Sequence, residues 1–372
     1  MPLTRLELSN FRILERVVIE PGEGLNVITG CNAAGKTTLI EAIHILATGR
    51  SFRTQRLTEL IRHGVQGFSA YGVVVEGGQP HRLGFAVGAQ GRSIRIDGEQ
   101  ASSAATLAQH MPLLAVTPEH HYDFLRSSRH RRGLLDWWLF HVEPDFHCRW
   151  LRYQRILAQR NAALRQRSPI HHIWDEELSD LGETIDRSRH AFFLLLEREF
   201  HRAAEYLLED WDARLIFESG WCRSEPLLTC LLRNRTSDQR HGYTRHGPHR
   251  ADLRFELHRE GIRTHLSHGQ QKLLVIALRL SQLKLFIAQS GRPCILLADD
   301  LGAELDAAHR QRVQNSLASL GAQAFLTSMD DHPFLTTAST PVFHVEQGRI
   351  RTESTVFAIP KKSARTEMKM LE

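Results

Sequence analysis

Gly30-Cys31-Asn32-Ala33-Ala34-Gly35-Lys36-Thr37 is a complete GxxxxGK[ST] pattern, and the short apolar run Leu25-Asn26-Val27-Ile28 precedes it. Behind the pattern, apolar residues recur at helical spacing through residues 37–48. Strand, glycine-rich loop and helix in this order form the context that a phosphate-binding loop requires. Backbone N–H groups in such a loop, together with the N-terminus of the following helix, attract anions. A chance glycine-rich turn is the alternative, and the flanking strand and helix disfavour it.

Each residue type in this loop has a predicted task. The Lys36 ammonium is expected to reach the β- and γ-phosphates of ATP, and the Thr37 hydroxyl is expected to ligate Mg²⁺. The predicted ATP-binding set is Gly30, Cys31, Asn32, Ala33, Ala34, Gly35, Lys36, Thr37 and Thr38.

A second motif, Ile295-Leu296-Leu297-Ala298-Asp299-Asp300, is an apolar run that closes in two acids. In an open α/β sheet, carboxylates at the carboxyl end of a strand lie beside the ligand crevice. Asp299 is expected to hold Mg²⁺ together with Thr37, and Asp300 to orient the attacking water as a general base. The predicted catalytic residues are therefore Lys36, Asp299 and Asp300. A helix N-cap pair after a core strand is the alternative, which the phosphate loop makes the weaker one.

A third motif, Leu266-Ser267-His268-Gly269-Gln270-Gln271, precedes a long apolar helix pattern, and Leu305-Asp306 follows the two acids. Ser267, Gly269 and the helix N-terminus are able to present a second anion site. In isolation, the same residues also fit an ordinary N-terminal capping box. The position of the motif between the phosphate loop and the acidic strand favours the anion site.

Composition bounds the class of protein. The 372 residues are 42% hydrophobic and 24% charged, which is typical of a globular chain. A net charge of +5 and a pI of about 9.1 make a polyanionic partner plausible. The five cysteines include no CxxC pair, which fits a reducing compartment. With no signal-peptide pattern and no uncharged apolar stretch of bilayer length, we expect a cytoplasmic protein without a membrane partner.

Periodicity divides the middle of the chain in two. Residues 65–100 alternate apolar and polar positions around the turn signals Gly77-Gly78 and Asp97-Gly98, which predicts an antiparallel lobe. Residues 119–235 have a helical texture, and two apolar stripes, the second over residues 174–209, predict an antiparallel helical hairpin. Candidate DNA contacts in this segment are Arg126, Arg129, Arg131, Arg132, Arg149 and Arg152, with Arg155 and Arg160 nearby. A solvated face with ion pairs is an equally good interpretation. The pairs His120-His121 and His171-His172 are expected at the surface.

Phosphate loop, LSxGQ-like signature, acidic strand and Leu-Asp loop, in that order, resemble the ABC-type ATPases. Longer phrases are similar to the RecF family of bacterial recombination-repair ATPases, over nearly the whole chain to about residue 350. These phrases are LSNFR (8–12), GRSFRT (49–54), TPEHHYDFLRSSRHRRGLLD (117–136), YQRILAQRNAAL (153–164), GPHRADL (247–253), SHGQQKLLVIALRLSQ (267–282) and LLADDLGAELD (296–306).

The resemblance implies an α/β fold, an ABC-type P-loop ATPase head with an antiparallel β lobe and an inserted helical arm. The implied division is an N-terminal ATPase part over 1–118, the arm over 119–235, a C-terminal ATPase part over 236–355 and a basic tail over 356–372. It also implies an ATP-dependent homodimer, in which the signature contacts the γ-phosphate held by the opposite subunit. The residues that would act across that dimer are Ser267, His268, Gly269, Gln270 and Asp306.

The function implied by the resemblance is ATP-dependent dimerisation on DNA at gaps and single/double-strand junctions, with weak DNA-dependent ATP hydrolysis. RecR and RecO would be its partners. With them the protein would promote RecA loading and support replication-fork recovery and the SOS response. An ATPase subunit of a membrane transporter and an SMC-like chromosome organiser are the alternatives. The basic insert argues against the first. The interval between Lys36 and Ser267 is too short for the long coiled-coil arms of the second.

The sequence also departs from its relatives. The RecF-like loops usually carry Gly at the position of Ala33 and an acid or Pro at that of Cys31. An alanine would stiffen the loop if position 33 requires positive φ. Asp300 stands where fast ABC ATPases have Glu, so hydrolysis is expected to be slow. Thr327 or Ser328 occupies the position of the usual switch histidine, and no Q-loop glutamine is assigned.

Overall fold

A computed structural model of the chain describes residues 3–208, 213–257, 260–261, 266–301, 305–328 and 340–353. The strands in these ranges are β1 (Leu3–Phe11), β2 (Leu14–Ile19), β3 (Leu25–Thr29), β4 (Phe68–Glu76), β5 (Gln79–Gly88), β6 (Gly91–Ile96), β7 (Glu99–Gln100), β8 (Leu113–Val116), β9 (Ala213–Glu218), β10 (Asp252–Leu257), β11 (Glu260–Gly261), β12 (Ile295–Ala298), β13 (Gln323–Thr327), β14 (Val342–Glu346) and β15 (Arg349–Glu353). The helices are α1 (Lys36–Thr48), α2 (Ala104–His110), α3 (Pro118–Arg126), α4 (Ser128–Val142), α5 (Phe146–Arg165), α6 (Asp175–Leu208), α7 (Leu227–Arg233), α8 (Arg235–His241), α9 (His268–Ser290) and α10 (Ala307–Ser319).

The central sheet has the strand order β15-β14-β3-β13-β12-β8. All its pairs are parallel except β14 with β15. β14 and β15 form a hairpin, because Gln347 and Gly348 take positive φ of 46° and 77° at the turn between them. The mixed α/β class predicted from the sequence is confirmed.

The two faces of the central sheet are buried in two different cores. Along β8 and β12, Leu113, Ala115, Ile295 and Leu297 belong to one apolar cluster, which also contains α1 and the β1–β6 strands. The alternate residues of these strands pack instead against the helices α4, α5, α6 and α9. Because side chains alternate across a strand, burial on both faces requires the unbroken apolar runs seen in the sequence.

The predicted antiparallel lobe is present, and it is wider than residues 65–100. Its strand order is β2-β1-β4-β5-β6-β7, so the first two strands of the chain complete it. Both predicted turns are confirmed: Gly77 and Gly78 have φ of 58° and 83°, and Asp97 and Gly98 have φ of 51° and 91°.

The predicted helical hairpin corresponds to α5 and α6, which pack against each other. A short 3-10 segment at Pro169–Trp174 connects them. α6 has 34 residues, so it is about 50 Å long. Residue 209, where this helix was predicted to end, lies outside the described residues. The helical texture expected over 119–235 is interrupted by β9, which pairs with β10 beyond residue 235.

α9 lies in the core between α6, α4 and β8. By length and composition alone it is apolar enough to cross a membrane, with a mean hydropathy of 1.4, but Lys272, Arg279 and Lys284 interrupt it, so it is not an uncharged apolar stretch of bilayer length. Its most apolar window is 61% buried. Such burial against neighbouring helices is what the core helix of a globular domain shows.

Candidate nucleotide-binding site

The predicted phosphate loop runs from the end of β3 to the first turn of α1. Gly30 and Gly35 take φ of 135° and 119°. A Cβ on Gly30 would lie 2.2 Å from the Val345 carbonyl oxygen, so no larger residue fits there. The Lys36 ammonium donates to the carbonyl of Gly30 and, at 3.2 Å, to that of Cys31. The lysine side chain therefore folds back over the loop, and together they enclose a small space.

Ala33 has φ of 64°, in the left-handed region that glycine adopts readily. Position 33 therefore has positive φ, and an alanine there makes the loop stiffer than a glycine would. The neighbouring Ala34 is almost fully buried and donates its N–H to the Cys31 carbonyl.

The two acids of the second motif follow β12. Asp299 is 7% exposed, and its Oδ1 accepts a 2.7 Å hydrogen bond from the Thr327 hydroxyl at the end of β13. The same hydroxyl accepts the Asp300 N–H at 2.8 Å. Asp300 has φ of 52°, a left-handed backbone conformation that residues other than glycine adopt rarely. Thr327 occupies the strand end, as expected, and the structure adds that it links both acids.

Loop and acids line one cleft of about 730 Å³. The cleft is lined by Cys31, Asn32, Ala33, Gly35, Lys36, Thr37, Thr38, Asp299 and Asp300 from the predicted set. Residues 30 to 38 and 299 to 300 are thus brought together by β3, β13 and β12, which are successive neighbours in the sheet. Gly30 and Ala34 shape the loop without lining the cleft.

Several cleft residues were not predicted from the sequence as site residues. Arg12, Arg53 and His63 line the cleft. Arg12 donates to both carboxylate oxygens of Glu41, at 2.6 and 2.9 Å, and Ser51 donates to the same carboxylate. Glu41 is fully buried in α1, so this group fixes the cleft wall to the helix behind the phosphate loop. Arg12 belongs to the phrase LSNFR, and Ser51 and Arg53 belong to GRSFRT, whereas Glu41 and His63 lie in neither phrase.

Ser267 begins α9 and forms a complete capping box. Its hydroxyl accepts the Gln270 N–H at 3.2 Å, and Gln270 Oε1 accepts the Ser267 N–H at 2.9 Å. Both interpretations of this motif therefore stay compatible, because a capped helix N-terminus still presents its other N–H groups. Ser267, His268 and Gln270 are exposed, and Ser267 does not line the phosphate-loop cleft.

Other predicted signature residues lie near the acids or at a helix start. His268 shares a smaller pocket with Asp299 and Asp300, and Lys272 donates to the Asp300 carbonyl at 3.1 Å. Asp306 is exposed and caps α10, where it accepts the His309 N–H at 2.8 Å and contacts the His309 ring at 2.7 Å.

The structure divides the predicted arginine contacts. Arg131 makes a two-bond ion pair with Asp252 at 2.7 and 2.9 Å, and Arg132 donates to the Ala251 carbonyl. Both residues are half-buried and make these contacts within the chain, and a DNA contact by either one stays a prediction. Arg160, which lies near these candidates in the sequence, is fully buried.

The remaining arginines are more accessible. Arg126 and Arg129 are exposed, and the Arg126 guanidinium lies 5.8 Å from the Tyr122 ring centre. Arg149 pairs with Glu143 at 3.6 Å, and Arg152 pairs with Glu177. Several arginines on these helices therefore form ion pairs, as the alternative of a solvated helix face predicts.

His120 corrects the expectation of a surface histidine. Its ring packs against those of His44 and Phe52, with centroids 6.0 and 5.8 Å away. Burial, with smaller contributions from nearby positive charge, lowers the pKa of His120 to about 3. His172 is exposed, as expected.

Comparisons with known proteins agree with this geometry. A family model described as RecF/RecN/SMC N terminal domain matches residues 2–351. The chain is 38% identical over 357 residues to the DNA replication and repair protein RecF of Thioalkalivibrio sulfidiphilus, covering 94% of this chain and 99% of that protein. It is 39% identical over 361 residues to the protein of the same name in Pseudomonas syringae pv. syringae, covering 94% and 98%.

Solved structures give the same result for the fold. The recombination mediator protein RecF with ATP, of the RecFOR pathway, superposes with a TM-score of 0.81 at 25% identity, covering 95% of this chain and 99% of that one. An Smc head bound to the C-winged helix domain of ScpA superposes with 0.62 at 17% identity, covering 95% and 97%, which supports the fold alone. A P-loop cleft closed by two strand-end carboxylates, and relatives matched over nearly their whole length, lead to one conclusion: the chain belongs to the RecF family of RecF/RecN/SMC-type ATPases.

Proposed function

We propose that this chain binds ATP with Mg²⁺, closes as a homodimer on DNA at gaps and single/double-strand junctions, and releases the DNA after slow hydrolysis. In this proposal it promotes RecA loading with RecR and RecO proteins, and so serves fork recovery and the SOS response. The observation that carries the proposal is a cleft lined by Lys36, Thr37 and other phosphate-loop residues together with Asp299 and Asp300, while Ser267 lies outside it. The RecF relatives favour this function over a transporter subunit.

The donor chemistry of the cleft fits Mg²⁺. The Thr37 hydroxyl and the Asp299 carboxylate are hard oxygen ligands, and both residues line the same cleft. When bound, the ion would neutralise charge on the β- and γ-phosphates. Lys36 would exchange its two carbonyl contacts for phosphate oxygens, because charge-assisted hydrogen bonds to an anion are stronger than those to neutral carbonyls.

Asp300 is the proposed water-orienting residue. The Thr327 hydroxyl accepts the backbone N–H of Asp300 and donates to the carboxylate of Asp299. In this proposal Asp299 is assigned to the metal and Asp300 to the water. The aspartate side chain is one methylene shorter than glutamate, so it holds the water less closely, and turnover is expected to be slow.

DNA contact is proposed for the accessible arginines of the helical segment. Arg126 and Arg129 are exposed near the junction of α3 and α4, and Arg152 and Arg155 are exposed on α5. Contacts of this kind neutralise phosphates without reading bases, so affinity should fall steeply with salt and show little sequence preference. A salt titration with two unrelated duplex sequences measures both properties, and a flat response would contradict the assignment.

Dimerisation tests the core of the proposal. Ser267→Arg should leave ATP binding intact but block ATP-driven dimerisation, because the bulky side chain obstructs the γ-phosphate of the other subunit. Asp300→Asn should trap the ATP dimer on DNA, because the water-orienting charge is lost while the shape is kept. Light scattering without nucleotide, with ADP and with ATP measures both populations.

Two controls separate this mechanism from simpler effects. Ser103→Arg removes a comparable helix cap, since Ser103 Oγ accepts the Ala105 N–H at 3.1 Å, and it should dimerise normally. Lys36→Ala should abolish productive ATP binding and hydrolysis. The trans mechanism fails if Ser267→Arg still dimerises with ATP, or if Asp300→Asn hydrolyses ATP at the parental rate.

A further inference from the structure

A second group of chemically active side chains lies beside the turn of the β4–β5 hairpin in the β lobe. Glu76, His81 and His110 each offer one ligand atom, and these atoms all lie within 4.8 Å of one another. All three residues are half-buried. The two imidazole rings have centroids 4.8 Å apart and are tilted by 40°. None of these residues lines the phosphate-loop cleft.

The fold brings these three side chains together. In the β4–β5 hairpin, His81 pairs with Val74. Glu76 is two positions beyond Val74, so Glu76 and His81 project from the same face of the hairpin. His110 is the last residue of α2 and approaches from a different element. A group drawn from two strands and a helix end is less adaptable than neighbours on one exposed helix.

Further contacts orient the group. Asp97 Oδ2 lies 2.8 Å from His81 Nδ1, and Asp97 Oδ1 accepts the Arg82 N–H at 2.7 Å. These two contacts lower the pKa of the Asp97 carboxyl, the backbone hydrogen bond first. An aspartate that accepts from Nδ1 leaves Nε2 as the ligand atom, which is the arrangement found behind metal-bound histidines.

Glu76 is held from its other side. Arg292 Nε donates to Glu76 Oε1 at 3.0 Å, while Glu76 Oε2 lies 3.6 Å from His110 Nδ1. Each carboxylate oxygen thus faces a different neighbour, and Oε2 is the one directed toward the histidines.

We propose that Glu76, His81 and His110 bind one divalent transition-metal ion of the Zn²⁺ type, with Asp97 orienting His81. Two imidazoles and one carboxylate are a common ligand set for zinc, in which water completes the tetrahedron. Imidazole nitrogens favour Zn²⁺, Co²⁺ and Ni²⁺ over Mg²⁺ and Ca²⁺, which take oxygen ligands. The site is therefore chemically distinct from the oxygen-lined nucleotide cleft.

The location predicts the consequence of binding. His110 directly precedes β8, and Arg292 precedes β12, whose register pairs Leu113 with Ile295. The group therefore lies at the amino end of these strands, whereas Asp299 lies at their carboxyl end. An ion here would bind the β lobe to the central sheet and raise stability without entering the nucleotide cleft.

The full-length protein, stripped with a chelator and kept in excess Mg²⁺, provides the test. Zn²⁺ and Co²⁺ titrations should show one tight equivalent and a raised thermal midpoint, with ATP binding unchanged. His81→Gln and His110→Gln should each lose that equivalent. Asp97→Asn should weaken it about 10–100-fold, the usual effect of an orienting carboxylate. His201→Gln, which removes an exposed histidine that pairs with Glu205, should bind as the parent does.

Thiol binding must be distinguished, because Cys31, Cys148 and Cys222 are exposed. Nitrogen and oxygen ligation gives a Co²⁺ spectrum without thiolate charge-transfer bands. A thiolate spectrum for the tight equivalent, the same affinity in both histidine variants and the parent, or no tight equivalent in the parent would each overturn the proposal. Circular dichroism of the variants shows whether a lost site reflects lost folding, and Asp97→Asn tests the site without removing a ligand.

Discussion

At the scale of single residues, Ala33 carries backbone strain in the phosphate loop. An L-residue in the left-handed region costs roughly 1–2 kcal/mol, and a glycine there recovers this while losing about 0.4–1 kcal/mol through unfolded-chain entropy. Ala33→Gly should therefore raise the free energy of unfolding by about 0.5–1 kcal/mol, measured by denaturant unfolding without nucleotide. Ala34→Gly is the matched control and should destabilise, because Ala34 is buried and has no positive φ. Equal effects of both changes would contradict the strain argument.

Thr327 is the second residue-scale prediction. Thr327→Val keeps the shape but removes the hydroxyl that joins Asp299 and Asp300, so ATP turnover should fall more than ATP affinity. Leaving the Asp300 N–H without this partner should also cost about 1–3 kcal/mol of stability. Thr327→Ser retains the hydroxyl and should restore turnover. Turnover of the valine variant at the parental rate would show that Thr327 does not position the acids.

At the scale of elements, one buried arginine joins three helices. Arg160 on α5 is fully buried and donates to Asp175 of α6 and Asp238 of α8, each at 2.8 Å. Arg160→Leu would leave two buried carboxylates without this cation, and removing one partner of a buried ion pair typically costs about 3–5 kcal/mol. Arg155→Leu on the exposed face of the same helix is the control, expected to stay within about 0.5 kcal/mol of the parent. Denaturant unfolding measures both.

Local sequence patterns predicted most of the helices and strands near the site, but they did not predict which arginines make contacts within the protein. The phosphate loop, α1, α9 and the β12 acids each have a signal within a few consecutive residues. Arg131, in contrast, takes its role from Asp252, 121 positions away, and Thr327 takes its role from the neighbouring strand. β9 was missed because it is a short strand whose partner, β10, follows it only after α7 and α8. Roles that depend on contacts between distant parts of the chain produce no periodic pattern in the local sequence, so the sequence alone does not predict them.

At the scale of the whole molecule, half-buried histidines make the free energy of unfolding depend on pH. Burial lowers the pKa of His44 and His249 to about 4, and of His120 and His141 to about 3, from an ordinary 6.5. These groups stay neutral in the folded chain and take up protons in the unfolded one. Their contribution to stability is therefore complete above pH 6.5 and is lost as pH falls toward 4. Denaturant unfolding at pH 7, 6 and 5 should show a progressive loss.

His141 isolates this effect. Both its ring nitrogens are buried without a hydrogen-bond partner, among the aromatic rings of Trp137, Phe140 and Phe286. His141→Phe removes one proton-binding site of the unfolded chain, so the stability curve should become flatter between pH 6.5 and 4. The raised pKa of Asp186 acts in the opposite direction and is unchanged by the substitution. A curve parallel to that of the parent would contradict the assigned pKa of His141.

The strand order of the central sheet has a consequence for synthesis on the ribosome. β3, which leads into the phosphate loop, pairs with β13 and β14, and Asn26 contacts the carbonyl of Ala324, 298 positions later. At elongation rates of ~5–20 residues per second, the loop emerges about 15–60 s before its neighbouring strands exist. During that interval the residues of the β lobe and α1 have been synthesised, but the strands of the central sheet against which they pack have not. An early nascent chain therefore carries the GKT sequence without a nucleotide cleft, and the apolar face of α1 is the surface that a ribosome-bound chaperone would have to cover.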